Sequence, residues 1–176
     1  EVSSASGTTT IVNSKGIRVS YESTYYSAYV TTLAQDDGGD SQMGWDFTGS
    51  RRMSDIDVKS IGKNAAQRAI ELLGSRKITA VKVPVILCPS VAVDFLEILS
   101  TSLSAEAVQK QRSFLIDKVG QTVVSPHIDI VDNGKLQWGT GTKPVDDEGV
   151  PVTDKFMISH GVLNGYFHNT YTAKKA

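Results

Sequence analysis

Thr8-Thr9-Thr10-Ile11-Val12-Asn13-Ser14-Lys15-Gly16-Ile17-Arg18-Val19-Ser20-Tyr21 is the stretch whose reading decides the fold class. A β-branched run stops at turn chemistry, and after Gly16 apolar and polar residues alternate, which predicts a β-hairpin. Upstream, residues 1–7 are rich in Ser and Gly and read as a linker or frayed end. Downstream, Tyr25 to Leu33 is a further strand candidate, closed by Asp36-Asp37-Gly38-Gly39-Asp40. Met43 to Thr48 alternates again and continues toward Met53, so four strands at short intervals predict an antiparallel meander.

The composition changes at Ser54. Ile61, Ala65, Ala69 and Leu73 recur at helical spacing, which predicts an amphipathic helix over 61–73, capped by Ser60 and closed by Gly74. Lys82 to Leu87, flanked by Pro84 and Pro89, reads as a strand at a sheet edge or entering the interior. Ser90 starts a second helix with Val91, Phe95, Ile98 and Leu99 on one face, broken near Ser102 to Ser104 before Ala105 to Gln111. Ser113 to Val119 is a helical turn or structured loop. Val123-Val124 and Ile128 to Val131 read as strands, and Asp132-Asn133-Gly134 as a turn. Gly139 to Pro151 is a loop of functional length. Phe156 to Ser159 and Val162 to Phe167 bracket His160-Gly161 as a final hairpin. Strands, then helices, then strands is an α+β order: an antiparallel β meander, two main helices and further antiparallel strands.

The chain has 176 residues, 40% hydrophobic and 21% charged, with 18 Lys+Arg against 19 Asp+Glu. That composition excludes long disorder, coiled coil and collagen. A net charge of −1, with basic residues in such small groups as Arg51-Arg52, Lys174-Lys175 and the looser Lys110 and Arg112, makes no nucleic-acid stripe. The single Cys88 cannot form an intrachain disulfide, and no apolar run is long enough to span a membrane. These features suit a cytoplasmic protein. The first residue is Glu1, not Met, and the expectation is a piece of a longer chain.

Chemistry-bearing residues are sparse. His127, His160 and His168 lie in predicted strands or turns, with His160 and His168 able to approach across a hairpin. Neither HExxH nor CxxC occurs. Cys88, just before a helix, is a nucleophile candidate set against a buried small hydrophobe. Gly139-Thr140-Gly141-Thr142-Lys143-Pro144 precedes a turn and strand, which is the wrong context for a phosphate loop. Asp146-Asp147-Glu148-Gly149 brings three hard oxygen donors together, but without the one-apart spacing of a calcium loop, so a solvated turn or cap network competes with a cation site.

Taken in order, several segments resemble the TldD/PmbA family, the modulators of DNA gyrase now viewed as metallopeptidases. Gly62-Lys63-Asn64-Ala65-Ala66-Gln67-Arg68-Ala69 followed by Leu73-Gly74-Ser75-Arg76-Lys77 is similar to the family's helix and its LGARK turn. Val83 to Pro89 resembles the next strand. Arg112-Ser113-Phe114-Leu115, Lys118-Val119-Gly120 and Val123 are similar to the RSFL..K.G..V pattern of the PmbA branch. Asp146 to Pro151, Gly161 to Tyr166 and Thr170 to Lys174 complete a series over residues 60–176.

The resemblance implies that the family's catalytic branch carries HExxxH on the helix after that strand, two His holding zinc and Glu serving as base. In register this chain reads Glu97-Ile98-Leu99-Ser100-Thr101-Ser102, so Glu97 and Ser102 stand at the ligand positions. It therefore points to the PmbA (TldE-like) branch, with no catalytic residue and no cofactor of its own, and with zinc in a TldD-like partner. It also implies unfolded peptide as substrate, Asp146, Asp147, Glu148 and Gly149 as peptide- or partner-binding residues, and residues 1–176 as part of the C-terminal domain. Self-association in place of a heteromer stays open. So do a peptidase with unconventional ligands such as Glu97, His127, Asp146 or Asp147, and a non-catalytic assembly module.

Overall fold

In a computed structural model that describes residues 1–176, the Asn13 side chain builds the first turn, its Oδ1 accepting from Lys15 N at 2.9 Å and Ile17 N at 3.2 Å. The turn joins β1 (Val2–Val12) to β2 (Arg18–Gln35), and β3 (Ser41–Ser50) follows the Asp36 turn, giving an antiparallel sheet of order β1-β2-β3. The expected frayed end at 1–7 is instead strand. Val2 to Gly7 pairs with Ala28 to Ser23, because a backbone ladder needs no particular side chain once a partner strand is present. The two middle strands expected from sequence are one strand of 18 residues, since Tyr21 to Tyr25 contains no Gly or Pro to interrupt it.

Helix α1 (Val58–Leu72) lies on one face of this sheet, with Ile61, Ala65 and Ala69 buried against Ala28 and Gly44. It starts earlier than expected. Asp57, not Ser60, is the N-cap, accepting from Lys59 N and Ser60 N, because its carboxylate reaches two of the helix's unpaired donors. At the other end Gly74 takes φ +67° and donates its N–H to Asp40 Oδ2 at 2.8 Å. The opposite sheet face presents Tyr25, Tyr29, Leu33, Met43, Trp45 and Phe47 to solvent.

Two compact units divide the chain: Glu1–Val81 with Leu136–Pro144, and Lys82–Lys135 with Val145–Ala176. In the second, α2 (Pro89–Ser102) and α3 (Ala105–Gln109) are followed by a sheet of order β4-β5-β6, formed by Ile130–Asp132, Lys155–Ser159 and Val162–Leu163, and by α4 (Thr170–Lys175). The β5–β6 turn uses His160 and Gly161 at φ +47° and +78°, the left-handed geometry of a tight hairpin. Leu103, Leu115, Met157, Ile158 and Leu163 form the core, each buried side chain contributing roughly 1.5–3 kcal/mol.

Two expectations fail in this unit. Lys82 to Leu87 is not a strand: it joins no sheet and leaves Ile86 97% exposed. Ser113 to Val119 is the structured loop of the two expected alternatives, held by Ser113 Oγ donating to Ser102 O at 2.6 Å. Val123-Val124 is not a strand either, only flanking an isolated bridge between Thr122 and Val162. No helix is long and apolar enough to cross a membrane.

Candidate functional site

The acidic segment is a tight turn. Asp146 Oδ1 accepts from Glu148 N and Val150 N, both at 2.9 Å, while Asp146 N donates to Val150 O at 2.8 Å. Gly149 closes it at φ +81° and is buried. Glu148 Oε2 accepts from Thr170 N at 2.7 Å and Thr170 Oγ1 at 2.9 Å, which ties the turn to the start of α4 beside its Asn169 cap. Asp147 faces solvent. The Asp146 and Glu148 carboxylates thus satisfy local donors, as expected of a cap network.

Glu97 and Ser102 both lie on α2, where Ser102 Oγ donates back to Ile98 O and Ser100 Oγ to Glu97 O. A carboxylate and a hydroxyl turned to its own helix do not fit zinc, which takes imidazole, thiolate or carboxylate donors in convergent sets. His127, His160 and His168 are exposed, and no three His, Cys, Asp or Glu residues are arranged to hold a metal. The unconventional set of Glu97, His127, Asp146 and Asp147 is therefore not brought together. Cys88 is exposed at the N-terminus of α2, with Sγ 3.2 Å from Ser90 Oγ and Pro89 as the first helical residue. It is not the buried hydrophobe weighed against a nucleophile.

The arrangement that sequence reasoning missed lies where β3 ends. Arg51 Nη2 donates to Thr140 O at 2.7 Å and Thr142 O at 3.0 Å, and its Nε to Gly139 O at 3.4 Å. One guanidinium thereby holds three carbonyls of the Leu136–Pro144 loop, a use of its rigid fork of donors. Arg52 sits 5.1 Å from the Trp138 ring centroid, a cation–π contact, and its Nε bonds Asp55 Oδ2 at 3.0 Å. That hydrogen bond, with a second from Ser50, holds the Asp55 carboxyl below the usual carboxylate range.

Trp138 has φ +62°, sterically costly for a bulky residue, and is 51% exposed. Beside it is a cavity of about 180 Å³ lined by Glu22, Ser23, Thr24, Arg51, Trp138, Gly139 and Thr142. The doublet Arg51-Arg52 was visible in the sequence, but its targets lie about 90 positions away and carry no local signal.

The PmbA/TldA metallopeptidase central domain matches residues 1–73, and the PmbA/TldA metallopeptidase C-terminal domain matches residues 80–176. The chain belongs to the PmbA/TldD family. The Metalloprotease PmbA homolog of Buchnera aphidicola is 35% identical over 164 residues, which cover 93% of this chain and 36% of that protein. Metalloprotease PmbA of Escherichia coli O157:H7 is 29% identical over the same shares. A Thermotoga maritima structure described as a modulator of DNA gyrase superposes with TM-score 0.92 at 33% identity, covering 99% of this chain and 40% of that one. TldE from Thermococcus kodakarensis, at 21% identity and TM-score 0.78, shares the fold. The chain thus spans little more than a third of its PmbA relatives, and the PmbA/TldD match divides it between two domains where the sequence had placed it in one.

Proposed function

We propose that this chain is part of a PmbA/TldE-like subunit that handles unfolded peptides for a TldD-like catalytic partner. The observation that carries the reading is the helix position of the zinc motif, filled by Glu97 and Ser102 with no convergent donors nearby. Kinship with proteins named metalloprotease supports peptide chemistry, and the absent ligand pair supports a hydrolytic step carried by another chain. Extended substrate would be held through backbone hydrogen bonds, which tolerate many sequences.

The test is to purify the full-length protein and a metal-bearing relative from the same genome, singly and together, and to assay unfolded-peptide cleavage and bound zinc in each. Cleavage by the pair alone, with zinc on the relative, is the expected result. Zinc-dependent cleavage by this protein alone would overturn the reading.

A further inference from the structure

The parity of the first sheet leaves part of one strand edge unused. Glu1 and Tyr29 exchange both backbone bonds, Glu1 N to Tyr29 O at 2.8 Å and Tyr29 N to Glu1 O at 2.9 Å. The one-to-one register then makes the odd-numbered residues of β2 bond β1 and turns the even-numbered ones toward β3. Two further contacts agree: Asn13 N donates to Ile17 O, and Asp36 N to Asp40 O. The pairing with β3 stops at Tyr26 opposite Ser50, although β2 begins at Arg18. Thr24 is met by Arg51, its Oγ1 donating to Arg51 O at 2.7 Å and its carbonyl accepting from Arg51 Nη1 at 3.5 Å. Beyond it, the N–H and C=O groups of Glu22 and Ser20 point into a lane that no strand of this chain enters.

That lane opens onto the cavity walled by Trp138 and the loop that Arg51 holds. Glu22 contributes an exposed carboxylate to it and takes part in no ion pair, so its charge is available to a ligand. Backbone donors and acceptors at strand spacing, an aromatic side wall and a carboxylate outside any ion pair are together complementary to an extended peptide bearing a basic side chain, the Arg51 guanidinium in the same lining being turned to loop carbonyls and Arg52 to Asp55 and Trp138.

We propose that the Arg18–Ser23 part of the β2 edge takes up an extended peptide as an added strand, with a lysine or arginine of that peptide placed between Glu22 and Trp138. This rests on the peptide-handling reading above and names where and what this chain would hold.

The test uses the full-length protein with every tryptophan but Trp138, Trp45 among them, replaced by phenylalanine, so that Trp138 is the sole tryptophan reporter. It is titrated with a capped peptide of alternating threonine and valine with one central lysine. Two further peptides carry N-methyl groups on its odd-numbered or its even-numbered residues, and a third has glutamate in place of lysine. Saturable change in Trp138 emission is expected, with one N-methyl set weakening binding by about tenfold or more and the other leaving it intact, because a strand offers alternate amides to its neighbour. Glu22→Lys should weaken the lysine peptide by about fivefold and favour the glutamate peptide. No saturable binding, equal tolerance of both N-methyl sets, or no effect of Glu22→Lys would each overturn the proposal. The titration needs neither metal nor second subunit, so its failure is read separately from failure of the paired subunits to cleave peptide.

Discussion

A β-carbon at Gly44 would sit 2.1 Å from Ala65 O and 2.4 Å from Ala69 N, backbone atoms of α1 that cannot move without lifting the helix from the sheet. Gly44→Ala is therefore expected to destabilise the first unit by about 3 kcal/mol or more, measured by denaturant unfolding. Asp57 and Asp40 hold the two ends of the same helix region. Hydrogen bonds from the Ser60 side chain and backbone lower the Asp57 pKa, and one from Gly74 N lowers that of Asp40, both from 3.8. A carboxyl with a depressed folded pKa contributes stability that is present above its unfolded value and lost as pH falls through the folded one. The melting temperature should thus be flat above about pH 5 and fall as pH drops below 3.8. Asp57→Asn should lessen that fall, because asparagine still caps but does not titrate. A fall of unchanged size in Asp57→Asn would assign the acid sensitivity elsewhere.

At the scale of elements, two apolar segments of the second unit behave oppositely. β6 is only two residues long, yet Leu163 is fully buried and its N–H bonds Gln121 O at 3.0 Å. Leu163→Ala should cost about 2–5 kcal/mol through lost burial and the cavity left behind. Helix α2 is as apolar by sequence, but none of its residues is buried and Phe95 is 58% exposed. Phe95→Ala in this chain should change stability by less than about 1 kcal/mol, as surface substitutions do. Equal losses in the two variants, measured by the same unfolding curves, would show that α2 is buried in solution. The sequence pattern could not separate these cases, because helical spacing of Val91, Phe95, Ile98 and Leu99 states which residues share a face, not whether anything covers it. Likewise Val83 to Leu87 has strand-like residues, but a strand exists only where a second strand supplies its hydrogen bonds.

Over the whole molecule, membership of the PmbA/TldD family was legible from ordered short motifs, and the missing HExxxH from a single helix turn and a half. Because Glu97 and Ser102 offer no imidazole, the chain incubated with zinc and then desalted should retain well under one equivalent, as measured by elemental analysis. What the sequence determined by itself is what neighbours in the chain decide. The turns at Asn13, Asp36 and His160-Gly161, the apolar stripe of α1 and the α+β order all follow from local torsional preference and periodicity. Tertiary structure alone decided the rest. It made residues 1–7 a strand by supplying β2 and spent Glu148 on Thr170. It also fastened the Leu136–Pro144 loop to Arg51, and it ended β3 opposite Tyr26 so that Glu22 and Ser20 face an open lane. Each of these is a hydrogen bond made or left unmade between residues far apart in the chain. A backbone donor carries no mark in the sequence of the acceptor it will meet.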